Sequence, residues 1–144
     1  MQKDVTVLVI DDDVTIRTLL NSTLSNKGFK VFCASNGPDG LKIAKAQDVD
    51  VVLLDWMMPE MDGMEVLTAL KRDTNTMYIP VIMLTSKEDS RDIDLAIAKG
   101  VVDYIVKPFN SFQVPEMVRK YLEQIHPNSG GEKQGFFSKF FSSR

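Results

Sequence analysis

Apolar residues recur along the chain with two different periods, and the alternation between those periods predicts the architecture. Val5 to Ile10 (VTVLVI), Val49 to Leu54 and Val81 to Thr85 (VIMLT) are short, nearly continuous apolar runs rich in β-branched residues. Runs of that length mark strands covered on both faces. Phe29 to Cys33 and Val101 to Val106 supply two further strands. Between them the spacing changes to three and four: Ile16, Leu19, Leu20 and Leu24; then Leu41, Ile43 and Ala44; then Val66, Leu67 and Leu70; then Ile93, Ala96 and Ile97. That is the period of a helix with one buried stripe.

Breakers fall between the periodic segments. Asn26-Lys27-Gly28 and Gly100 end helices, and Asn36-Gly37-Pro38 turns the chain. Lys71 and Arg72 stand in the last turn of the third helix, where positive side chains suit the dipole. A fifth helix is predicted over Phe112 to Ile125, with Asn110 as a cap; Pro115 lacks an N–H, so the helix starts about one turn later or bends there. His126-Pro127 ends it, and residues 128–131 read as a flexible joint. Five strands alternating with five helices through short connections predict an α/β fold: a doubly wound parallel sheet, right-handed crossovers, helices on both faces.

Bulk properties narrow the class. A chain of 144 residues, 44% hydrophobic and 26% charged, suits one soluble domain. The net charge of −3 and a pI near 5.1 lack the basic footprint of a nucleic-acid binder, so direct DNA binding is not expected. Cys33 is the single cysteine, which excludes an intrachain disulfide and suits a reducing compartment. The N-terminal apolar run is short and ends in three aspartates, unlike a secretory segment, and no apolar run reaches the roughly 20 residues of a membrane span. A cytoplasmic location is the expectation.

Polar residues cluster at predicted strand ends. Asp11, Asp12 and Asp13 directly follow the first strand, and Asp55 follows the third. In an open parallel sheet the carboxyl ends of strands form the ligand site, and these two strands are neighbours in the strand orders that suit such a sheet. Two like charges about 4 Å apart repel by about 4 kcal/mol at an effective dielectric near 20, so a cation or a proton must offset them. Oxygen ligands of this kind suit Mg2+. Asp13, just before the helical spacing, also reads as a helix cap. Thr85 ends the fourth strand, Ser86 follows it, and Lys107 follows the fifth; together they could donate to the oxygens of a phosphoryl group. Taken singly, each has a plain alternative as a helix cap or a solvent-facing strand end.

Four blocks in this order, IDDD at Ile10 to Asp13, DWMMPEMDG at Asp55 to Gly63, LTS at Leu84 to Ser86 and DYIVKPF at Asp103 to Phe109, resemble the receiver domain of two-component response regulators. The resemblance covers about residues 4 to 125. It implies a flavodoxin-like sheet of order 2-1-3-4-5 and a cis Lys107–Pro108 bond. It further implies that Asp55 is phosphorylated, taking a phosphoryl group from a histidine kinase or a histidine phosphotransfer protein. Asp11, Asp12, Asp55 and the Met57 carbonyl would hold Mg2+; Thr85, Ser86 and Lys107 would bind phosphate. Asp55, Thr85 and Lys107 become the catalytic set of a protein that modifies and resets itself, which is not a conventional turnover enzyme. Thr85 and Tyr104 become the switch, altering a face of helix four, strand five and helix five that binds a downstream protein, with Lys87, Lys99, Tyr104 and Val106 as candidate contacts. Met57 and Lys87 stand two residues after Asp55 and Thr85, where side chains influence how water reaches the acyl phosphate.

Two other classes fit some of these residues: a Mg2+-dependent phosphohydrolase or phosphotransferase acting on small molecules, and an adaptor that works without phosphorylation. The receiver is expected over residues 1–126, followed by a flexible tail over 127–144 that is too short for an effector domain. That tail places Phe136, Phe137, Phe140 and Phe141 on one possible helical face and carries +2, whereas the rest carries −5. It reads as a partner-docking or intramolecular segment, with weak membrane association and no ordered role as alternatives. Truncating residues 128–144 should abolish partner capture in a pull-down; unchanged capture and localisation would remove the basis for docking.

Overall fold

The computed structural model describes residues 4–86 and 90–125 of the chain. The expectations for Lys87 and for the tail lie outside the described residues. The chain divides into two compact units, residues 1–109 and 110–144.

The first unit alternates strictly: β1 (Thr6–Ile10), α1 (Val14–Asn26), β2 (Lys30–Ala34), α2 (Gly37–Ala46), β3 (Val51–Asp55), α3 (Gly63–Arg72), β4 (Val81–Thr85), α4 (Ser90–Ala98) and β5 (Asp103–Val106). All strand pairs are parallel, in the order β2-β1-β3-β4-β5, as expected. The three central strands are buried at every position, which is why their sequences run apolar without alternation. Their side chains still divide between two faces. Leu8, Ile10, Val52, Leu54, Val81 and Met83 join one cluster with Ala44 of α2, with Val66, Leu67 and Leu70 of α3, and with Ala96 of α4. The alternate residues Val7, Val9, Leu53, Ile82 and Leu84, equally buried, point the other way, and Leu20 and Leu24 of α1 are buried outside that cluster.

Several boundaries differ from the sequence expectation. Gly37 and Pro38 belong to α2, because Asn36 caps the helix by accepting from Asp39 N at 2.8 Å and Pro38 sits in the first turn, where its missing N–H costs nothing. β3 extends through Asp55, which pairs with Leu84; the carboxylate is therefore the last residue of the strand, not the first beyond it. β2 and β5 begin later than their apolar runs. Gly28 and Gly100 follow α1 and α4 with φ of 93° and 112°, the left-handed backbone that glycine tolerates. Lys71 does more than face the helix dipole: its ammonium donates to the Met77 and Ile79 carbonyls at 3.2 and 3.3 Å, pinning the chain before β4, and burial lowers its pKa.

In the second unit, Asn110 caps a single 3-10 turn, Ser111–Gln113, by accepting from Phe112 N, and α5 (Val114–Ile125) follows. Starting there places Pro115 in the first turn, which resolves the conflict seen in the sequence. Val114, Val118 and Leu122 form its buried stripe, and Glu116 and Lys120 pair on the exposed side.

The Asn36 cap gives a direct test. Asn36→Ala should lower the unfolding free energy by about 1 kcal/mol in urea titration, and Asn36→Ser by only a few tenths.

Candidate functional site

The polar residues converge where β1 and β3, adjacent in the sheet, reach their carboxyl ends. The Asp11 N–H donates to the Ala34 carbonyl at 3.1 Å, so the residue after β1 is still held by the sheet. Its carbonyl accepts from Arg17 Nη1 at 2.8 Å, and its Oδ1 accepts from the Asp13 N–H at 2.9 Å. Asp13 itself caps α1 by accepting from Thr15 N, the role its position suggested. Asp11 is thus clamped on several sides, whereas Asp12 is exposed to solvent.

Lys107 closes the site from the end of β5. Its N–H donates to the Thr85 carbonyl at 2.7 Å, fixing the chain against β4, and the bond to Pro108 is cis as expected. Its Nζ donates to Asp11 Oδ2 at 2.9 Å and to Asp55 Oδ1 at 3.2 Å. One ammonium therefore serves two carboxylates that are 0% and 4% exposed. Burial alone would lower the lysine pKa; the hydrogen bonds and charges of Asp11 and Asp55 outweigh it and raise the value.

That single cation does not neutralise the cluster. Burial, then the Asp11 charge, push the Asp55 pKa up from 3.8 to about 7; Lys107 opposes them, and a hydrogen bond with Asp12 adds to the rise. Carboxylate oxygens of Asp11, Asp12 and Asp55 lie within 4.8 Å of one another. Hard oxygen donors at this spacing, carrying charge that Lys107 leaves uncompensated, fit a small divalent cation such as Mg2+.

The other expected residues stand close by in the fold. Thr85 is buried at the end of β4, beside Val106 in the register, and Ser86 follows it exposed. Tyr104 is half-buried and packs against the core cluster. The Met57 side chain is 58% exposed, directed away from the packing that takes up its neighbours Trp56 and Met58. One contributor escaped the sequence reading: Arg17 signalled itself only by lying one helical turn beyond Asp13. Gly63, the end of the DWMMPEMDG block, opens α3.

Comparison with known proteins is consistent in kind. The family described as response regulator receiver domain matches residues 7–119. The probable transcriptional regulator ycf27 of Porphyridium aerugineum is 37% identical over 94% of this chain and 58% of its own length. The alkaline phosphatase synthesis transcriptional regulatory protein PhoP of Bacillus subtilis is 36% identical over 82% of this chain and 48% of its own. The chain thus spans about half the length of these curated relatives. Among solved structures, the chemotaxis response regulator CheY4 of Vibrio cholerae is 29% identical, with a TM-score of 0.78 over 82% of this chain and 98% of that one.

The Asp55 shift predicts a pH signature in the metal-free protein. A carboxyl whose folded pKa lies above its unfolded value stabilises the fold least when ionised: the contribution is best below about pH 4, declines as pH rises to about 7, and stays low above. The penalty at pH 8 is at most on the order of 4 kcal/mol. Asp55→Asn should therefore raise the thermal midpoint by several degrees at pH 8, with the gap shrinking towards pH 4.5. Millimolar Mg2+ should stabilise the wild type more than the variant. A pH-independent gap would contradict the assignment.

Proposed function

The chain belongs to the response regulator receiver domain family, and on that premise we propose that Asp55 is its phosphoryl acceptor, with Asp11, Asp12, Lys107, Thr85 and Ser86 completing the site. One observation carries the reading: Lys107 Nζ bridges two buried carboxylates from neighbouring strands, beside a third carboxylate. A structural ion pair needs one partner of each sign. Three acids around one lysine leave a place for added positive charge and for the oxygens of a transferring group.

The donor is a phosphohistidine on a sensor kinase or phosphotransfer protein. An Asp55 carboxylate oxygen attacks phosphorus in line with the phosphorus–nitrogen bond. That bond breaks, its electron pair returns to the imidazole, and the imidazole takes a proton from solvent. Asp55 needs no separate base, because only its ionised form attacks. Asp11, Asp12, Asp55 and the Met57 carbonyl would hold Mg2+, which when bound would supply positive charge that favours ionised Asp55 and balances the phosphoryl oxygens. Lys107 exchanges part of its bond to Asp55 for a phosphoryl oxygen, while Thr85 and the N–H of Ser86 donate to the others. Later attack by water on phosphorus releases phosphate and restores the carboxylate.

The output follows from Thr85. It ends β4 beside Val106, and Tyr104 stands two residues before Val106 on the same face of β5. Movement of the threonine hydroxyl towards the acyl phosphate opens space that the half-buried Tyr104 ring enters, altering the surface of α4 and β5 around Lys99 and Val106 that a downstream protein reads. No described helix is long and apolar enough to cross a membrane, and we place the exchange with the kinase in the cytoplasm.

Incubation with Mg2+ and a small acyl phosphate should add one phosphoryl group to the wild type by intact mass and none to Asp55→Asn. Lys107→Ala should slow the reaction by about tenfold or more. Equal labelling of wild type and Asp55→Asn would sink the assignment.

A further inference from the structure

We propose that Gly63 is a positioning residue for phosphoryl transfer: by admitting the first turn of α3 directly against the main chain of Asp55 and Trp56, it sets where the Asp55 carboxylate stands relative to Lys107 and the other acids. The inference rests on the reading of Asp55 as acceptor. It starts from how β3 ends. The pairing of β1 with β3 stops at Ile10 and Leu54, one residue short of Asp55. On the β4 side the ladder continues, with Asp55 opposite Leu84 and the Trp56 N–H donating to the Leu84 carbonyl at 3.0 Å. The nucleophile thus stands at the end of the strand, where both ladders run out.

The start of α3 supplies another support. The Gly63 N–H donates to the Trp56 carbonyl at 2.8 Å. A Cβ on Gly63 would lie 2.5 Å from the Asp55 carbonyl oxygen, 2.8 Å from the Trp56 Cα and 3.2 Å from the Asp55 carbonyl carbon. All three are main-chain atoms, so no side-chain rotation can make room. The glycine is not required by its own conformation, since among the described glycines only Gly28 and Gly100 have positive φ. It is required by space.

The support is itself rigid. Asp62 accepts from the Glu65 N–H at 2.9 Å while Glu65 accepts from the Asp62 N–H at 3.0 Å, a reciprocal cap that orders the first turn. Val66, Leu67 and Leu70 anchor the helix with no exposed surface. A methyl group at position 63 must therefore displace the Asp55–Trp56 peptide rather than the helix. A shift of that peptide moves the carboxylate at the site where 2.9 and 3.2 Å contacts define the geometry.

A control separates positioning from simple loss of stability. Gly37 is as crowded as Gly63, but a Cβ there would meet side-chain atoms, Met61 Sδ and Val66 Cγ2, both at 2.8 Å. Phosphoryl uptake from acetyl phosphate at saturating Mg2+ is followed by intact mass for wild type, Gly63→Ala and Gly37→Ala, with thermal midpoints measured in parallel. We expect Gly63→Ala to label at least tenfold more slowly and to need more Mg2+ for half-maximal thermal stabilisation, whereas Gly37→Ala loses stability but labels within twofold of wild type. Asp62→Ala, which removes the cap without adding an atom, covers the case in which Gly63→Ala does not fold: it should label a few-fold more slowly, with Asp62→Asn restoring the rate. Wild-type rates in Gly63→Ala, or in Asp62→Ala where that variant stands in, overturn the inference, as does an equal loss in Gly37→Ala. A wild type that takes up no phosphoryl group overturns the acceptor reading and this inference together.

Discussion

The contact on which the site depends is the shared lysine: Lys107 Nζ lies between Asp11 and Asp55, and removing it would leave two buried carboxylates facing each other with no cation between them. Everything nearby holds that arrangement open against collapse. The Arg17 guanidinium and the Asp13 N–H hold Asp11 from the α1 side, the β3–β4 ladder and α3 hold Asp55, and the Thr85 carbonyl holds the lysine's own backbone. A core built wholly of apolar side chains would be more stable at this edge. The protein instead buries Asp55 and keeps Asp11 beside it, which together raise the Asp55 pKa, a tension that an incoming cation would relieve.

Much of this was legible in the sequence because the signals were of the strong kind. Uninterrupted apolar strands, VIMLT above all, can only be central strands in a sheet covered on both faces, and the three-and-four spacing of Val66, Leu67 and Leu70 can only face a core. The candidate acids were legible because carboxylates directly after apolar strands are expensive unless they have a task. Strand ends were less legible. Asp55 pairs within β3 although aspartate is a poor strand former, because tertiary hydrogen bonding with β4 overrides local preference. Gly37 and Pro38 looked like a turn because their chemistry suits a turn and a first helical turn equally. The parts played by Arg17 and Gly63 depend on which backbone atoms lie opposite them, and no periodicity encodes that.

The relatives widen the setting without changing the chemistry. Two that carry the word regulator in their names are about twice as long as the segment they share with this chain, while the Vibrio chemotaxis protein is matched over nearly its whole length. Segments similar to this chain thus occur in proteins of quite different size. Here the carboxylates of Asp11, Asp12 and Asp55 and the Lys107 ammonium all come from the first unit.

One consequence lies in the order of the chain. Lys107 is separated by 96 residues from Asp11 and by 52 from Asp55. During synthesis, the acidic side of the site leaves the ribosome long before the cation that balances it. A partial chain that had paired β1 with β3 would bring two aspartates together with nothing between them, so electrostatics works against early closure until β5 arrives. Long-range closure of this kind is slow, but it ties the charged cluster to the last strand of the sheet. A truncated or half-folded chain therefore lacks the cation that lies between Asp11 and Asp55: the residue that bridges the acids also marks the sheet as complete.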